Sequence, residues 1–142
     1  MKITLKRQND AVNFHAFNED GIMVPIDGSP EIGGENLGAR PMQLLIMGLG
    51  GCSAIDVVMI LQKQKVNPEG IEIEINAERF KDQTPALFED IKVSFKIKGE
   101  EKDAKKIKRA VELSMEKYCS VAKILEATAK ITFDVALNGV VL

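Results

Sequence analysis

Histidine occurs once and cysteine twice in the 142 residues, and that set cannot supply the four ligands of the usual structural zinc site. The scarcity argues against a structural metal. Basic residues show no surplus either: 19 Lys and Arg stand against 21 Asp and Glu, for a net charge of −2. A phosphate backbone needs cations to neutralise it, so nucleic acid is not an expected partner. No segment is polar and unpatterned enough to read as disordered. The opening MKITLKRQND has no long apolar run leading to a small-residue cleavage site, so it does not read as a secretory leader. The expected compartment is the cytoplasm.

What the chain does have is 45% hydrophobic residues in a length typical of one domain, and residues 1–142 are expected to form a single one. The longest apolar stretch, residues 42–61, is nearly long enough to span a bilayer. It contains Asp56, which would cost ~2.5–3.5 kcal/mol near the bilayer centre. A helix apolar on all sides but interrupted by Ser53 and Asp56 reads instead as the buried centre of a soluble fold, with no membrane partner.

Alternation at residues 2–6 and 12–17, then a short run at 22–26 after Asp20-Gly21, predicts an antiparallel meander. The Gly-rich stretch 28–40 is a long loop, and Pro41 suits the first turn of a helix running to about Lys65, before Asn67-Pro68-Glu69-Gly70. Ile71, Ile73 and Ile75 alternate with polar residues in a strand, paired with a second at 91–97. Helical spacing of Ala104, Ile107, Ala110, Val111 and Ser114 predicts a helix over 102–117. A short helix at 120–127 and a strand through Ile131, Phe133 and Val135 close the chain. Segregated helices and antiparallel strands make an α+β fold: an antiparallel sheet with a long buried central helix. The all-round apolar helix is more surface than one small sheet covers, which predicts a homodimer.

Cys52 follows Gly48, Gly50 and Gly51 inside the long helix. Each glycine disfavours a helix interior by ~1 kcal/mol relative to alanine, so close approach of a backbone, a substrate or a partner helix is their expected purpose. Cys119 lies where one helix ends and another begins, with Lys117 and Lys123 near in sequence. Either thiol can be a packed small hydrophobe, and the two can equally be a peroxidatic and resolving pair. His15 is expected on the solvent side of its strand, and Tyr118, the single tyrosine, against a helix end.

The segment Arg40-Pro41-Met42-Gln43-Leu44-Leu45 through Gly51-Cys52-Ser53-Ala54-Ile55-Asp56-Val57-Val58, with Glu116-Lys117-Tyr118-Cys119-Ser120-Val121-Ala122 after it, resembles the OsmC/Ohr family of osmotically inducible and organic hydroperoxide resistance proteins. Glu78-Arg79 and Pro85-Ala86-Leu87-Phe88 extend the resemblance over nearly the whole chain. It implies an intertwined homodimer with active sites at the subunit interface, and thiol-dependent reduction of small hydroperoxides, organic ones in particular or hydrogen peroxide. By position, Cys52 is the peroxidatic thiol and Cys119 the resolving one, with a dithiol as reductant and no cofactor, whether metal, flavin or nucleotide. The family's thiolate-stabilising arginine has Arg7 as its nearest match, and Arg40 is a second candidate. Where well-characterised members carry a carboxylate after the proline, this chain has Met42, which places it beside a less characterised branch. Asp56, one turn beyond Cys52, is an orienting group or a polar cap on the dimer interface. Two functions follow: a thiol peroxidase, or a non-catalytic module of the same fold that binds a small hydrophobic ligand or senses redox state.

Overall fold

The computed structural model describes residues 1–142 as two compact units, Met1–Leu45 and Ile46–Leu142.

In the first unit, β1 (Thr4–Arg7), β2 (Phe14–Phe17) and β3 (Met23–Ile26) form the expected antiparallel meander. Its turns are held by side-chain amides. Asn9 Oδ1 accepts the N–H groups of Ala11 and Asn13, and Asn18 Oδ1 those of Asp20 and Ile22. Gly21, at φ +80°, supplies the left-handed step of the second turn. The long loop after β3 is organised by Asp27, a buried carboxylate that accepts N–H bonds from Gly28, Glu35 and Leu37 at 2.8–3.0 Å. Those donors, Leu37 foremost, hold its carboxyl below the usual carboxylate range. At the loop's end the Arg40 N–H donates to Gln43 Oε1 at 2.9 Å. That bond is the backward half of a capping box, with Pro41 in the first turn of α1 (Pro41–Lys63).

The second unit contains most of α1 and a four-stranded sheet. β4 (Gly70–Arg79), β5 (Phe88–Lys98), β6 (Lys130–Leu137) and β7 (Val140–Val141) lie in that order. Strict alternation in β5 buries Ile91, Val93, Phe95 and Ile97, each worth ~1.5–3 kcal/mol when fully removed from water. The mixed α+β architecture with a central helix is as expected, with one difference of pairing. β5 and β6 run parallel, whereas the other neighbours are antiparallel. A parallel pair needs a crossover, and it is made by α2 (Ala104–Leu113), a π-helical turn (Ser114–Tyr118) and α3 (Ser120–Leu125). The single helix expected over 102–117 therefore stops at Leu113. Beyond it the bonding widens, the Cys119 N–H reaching back to Ser114 O at 2.8 Å. Ser114 is itself fixed there, because its hydroxyl donates to the Ser53 carbonyl of α1 at 3.2 Å.

Helix α1 is buried along one line only, through Leu49, Ser53, Val57 and Leu61 at four-residue spacing. Met47, Ile55 and Met59 are more than half exposed. The apolar surface that the sequence puts on every side of this helix is thus covered on one side by its own chain.

Candidate active site

Cys52 sits half-buried on α1, and Asp56 lies one helical turn further on. Cys119 is fully buried at the amino-terminal cap of α3, where its backbone is extended (φ −67°, ψ 102°) and its sulfur accepts the Ala122 N–H at 3.4 Å. The two sulfurs and an Asp56 carboxylate oxygen all lie within 4.8 Å of one another. Burial pushes the Cys119 thiol up to about 11; the Ala122 N–H opposes that rise and the adjacent Cys52 thiol adds to it. The site therefore holds one thiol open to solvent beside another that is dry and protonated at neutral pH.

Local bonding explains how the sequence reaches this arrangement. The Ser53 hydroxyl turns back onto its own helix, donating to Leu49 O at 2.9 Å and Gly50 O at 3.1 Å. That leaves the Ser53 carbonyl to receive Ser114, whose hydroxyl also lies 3.4 Å from Asp56 Oδ2. Ser114 is the residue that sequence reasoning missed in this role. It lies five residues before Cys119, and only a widened helical turn gives that spacing meaning.

The glycines before Cys52 are less crowded than expected. A Cβ on Gly50 would meet Ile75 Cδ1 at 3.2 Å, whereas one on Gly48 or Gly51 would meet nothing within 4 Å. Gly50 and Gly51 instead help line an apolar groove of about 640 Å³ between α1 and β4, walled by Met47, Val58, Ile71, Ile73 and Ile75.

Of the other residues singled out, Arg7 donates from Nε to Ala11 O at 2.8 Å and from Nη2 to the Asp10 carbonyl, closing the turn after β1. Arg40 Nη2 donates to Asn36 Oδ1 at 3.1 Å. His15 is half-buried rather than solvent-facing, edge-on to Phe17 at 6.4 Å between ring centroids, because both side chains project from the same face of β2. Tyr118 does not pack under a helix end. It is 49% exposed, with Lys117 Nζ 5.3 Å from its ring centre, because the π turn swings it outward.

The profile of the family described as OsmC-like protein matches residues 33–134. The chain belongs to that family. This OsmC-like chain is 45% identical over 92 residues to Protein YhfA of Escherichia coli strain K12, an alignment covering 65% of this chain and 68% of YhfA. A solved hypothetical protein from Aquifex aeolicus VF5 is 29% identical, with 96% of each chain covered and a TM-score of 0.75. The OsmC fold is shared with a Legionella pneumophila structure described as an organic hydroperoxide resistance protein OsmC, predicted redox protein and regulator of sulfide bond formation. That comparison has 17% identity, a TM-score of 0.70 and coverage of 96% of this chain and 97% of that one. The motifs around Cys52 and Cys119 thus sit in the fold that their resemblance implied.

Proposed function

We propose that this protein is a cysteine-based peroxidase that reduces organic hydroperoxides or hydrogen peroxide in the cytoplasm. The observation that carries the reading is the pairing of a half-buried Cys52 with a fully buried Cys119 across less than 4.8 Å. The Cys52 thiolate attacks the distal oxygen of ROOH, the O–O bond breaks, and the alkoxide leaves as ROH after taking a proton. Cys52 is then a sulfenic acid. Cys119 gives up its proton and attacks the Cys52 sulfur, water leaves, and a disulfide remains for an external dithiol to reduce. Bringing the sulfurs from their present separation to a bond of about 2.05 Å needs a closure of at most about 3 Å. The burial of Cys119 suits the second role, since a protonated thiol does not compete with Cys52 for peroxide.

In this reading one arginine, Arg7 or Arg40, stabilises the thiolate, and Met42 leaves it without the carboxylate that would fix it. The reading further includes a homodimer, supported by the apolar side of α1 that the chain leaves uncovered. Its test is peroxide at one equivalent, followed by a non-reducing peptide map. A Cys52 to Cys119 disulfide is expected within one chain. Cys52→Ser should abolish turnover, and Cys119→Ser should leave one fast oxidation and accumulate sulfinic acid at position 52. If both variants consume peroxide as the parent does, the peroxidase reading is wrong. The apolar groove lined by Gly50, Gly51 and the isoleucines of β4 favours the second reading, a module that binds a small hydrophobic ligand there. Inert thiols together with saturable binding of such a ligand would establish it.

A further inference from the structure

Two thiols and a carboxylate converge from different parts of the chain in this site, and all three are acids whose conjugate bases ligate metal ions. Cys52 and Asp56 project from one face of α1 four residues apart, the spacing by which paired ligands on a helix grip a single ion. Cys119 approaches them from the junction of the π turn with α3. None of the ion pairs in the molecule involves Asp56; its one side-chain partner is the Ser114 hydroxyl at 3.4 Å. Three potential anions thus face one another with no cation paired to the carboxylate.

We infer that Cys52, Asp56 and Cys119 form a binding site for a thiophilic divalent cation of the zinc class, with two sulfur ligands, one oxygen ligand and a fourth position open. The distances suit it. Zinc–sulfur bonds of about 2.3 Å and zinc–oxygen bonds of about 2.0–2.2 Å place tetrahedral ligands roughly 3.5–3.8 Å apart. Donor atoms already within 4.8 Å of one another therefore need to close by at most about 1.0–1.3 Å per pair. Two thiolates select zinc, cobalt or cadmium over magnesium and calcium, which prefer all-oxygen sites. This is not the usual structural centre of four Cys and His ligands, which two cysteines and one histidine cannot supply; it is a three-ligand site of the open kind. Binding is not a redox step: Cys52 and Cys119 each lose a proton to solvent, two metal–sulfur bonds form, and ligand water leaves the ion. While the ion is held, both sulfurs are occupied, so the site takes a metal or an oxidant but not both.

The test uses the full reduced chain, anaerobically, with Co²⁺ alone and then Zn²⁺ alone. One Co²⁺ per chain is expected, with a thiolate-to-cobalt charge-transfer band and the intense d–d bands of four-coordination, both bleached by Zn²⁺. Cys52→Ser and Cys119→Ser should each weaken the charge-transfer band and raise the dissociation constant by about tenfold or more, and Asp56→Asn should raise it similarly while keeping the band. Because Cys119 is buried and its variant can misfold, the parent supplies a second readout. Zn²⁺ should protect both cysteines from iodoacetamide, and prior oxidation to the disulfide by diamide, which takes up the two electrons and two protons, should abolish the cobalt spectrum. No charge-transfer band with millimolar Co²⁺, or a band that survives in both cysteine variants, overturns the inference. No peroxide enters these measurements, so the metal site and the peroxidase reading stand or fall separately.

Discussion

Gly48→Ala combined with Gly51→Ala puts two methyl groups on the side of α1 where neither meets an atom of its own chain within 4 Å. If that side faced only water, the pair would stabilise the helix, because each Gly to Ala change in a helix interior is worth ~1 kcal/mol. About 2 kcal/mol in a chain of this size raises the thermal midpoint by about 4–8 °C. A second copy packed against the glycines reverses the sign, since methyl groups forced into a filled contact cost ~1–3 kcal/mol each. The homodimer reading therefore predicts dissociation at least about tenfold easier, or about 1.4 kcal/mol of lost association. Sedimentation across a concentration series gives the dissociation constant, and calorimetry at a concentration favouring monomer gives the helix's own gain. A higher midpoint with unchanged association would show that the glycine face is open, and the dimer would have to be built elsewhere.

Three further outcomes are expected. At pH 8 iodoacetamide should label Cys52 well before Cys119, because burial both pushes the Cys119 thiol up to about 11 and keeps the reagent from it, whereas Cys52 is only half-buried; peptide mass spectrometry that finds equal rates refutes the assignment of roles. Asp27 is held below its unfolded pKa by backbone N–H donors, so the stability it contributes is present above the unfolded value and lost as pH falls through the folded one. Asp27→Asn should flatten that acid limb in urea titrations between pH 2 and 5, whereas curves that stay parallel to the parent's would deny the linkage. Met42→Glu should raise the rate of peroxide consumption by fixing the stabilising arginine, and a slower rate together with Cys52 alkylation moved to higher pH would show that no arginine stands ready for it.

The long strands and α1 were legible because their residues carry the period themselves: Ile71, Ile73 and Ile75 alternate, and Pro41 and Pro68 bracket the helix. The pairing of β5 with β6 was not, since strand direction is fixed by a crossover whose path no local pattern records. The π turn was hidden for a similar reason. Residues 114–118 keep ordinary helical composition, and the wider bonding coincides with a serine hydroxyl bonded to a carbonyl of α1, a contact distant in sequence. Asp56 could be weighed as Cys52's neighbour through four-residue spacing, whereas the pairing of Cys119 with Cys52 came from family resemblance and not from periodicity, and the approach of Cys119 to Asp56 came from the fold alone. The uncovered side of α1 was anticipated as excess apolar surface, but which glycines it exposes depended on the course of β4 against Gly50.

The outward swing of Tyr118 gives the chain an optical property. It is the sole tyrosine in a sequence without tryptophan, so near-ultraviolet emission excited at the phenol arises at one place and suffers no energy transfer to an indole. That place adjoins Cys119 in the chain, one residue from the thiol proposed to bond to Cys52. Lys117, poised over the ring at 5.3 Å, lies on the same segment, so a change of its position alters the phenol's surroundings. If the proposed disulfide forms, Tyr118 emission should change with it, and stopped-flow emission would follow closure and reopening of the sulfur pair without a dye, a coupled enzyme or a quench.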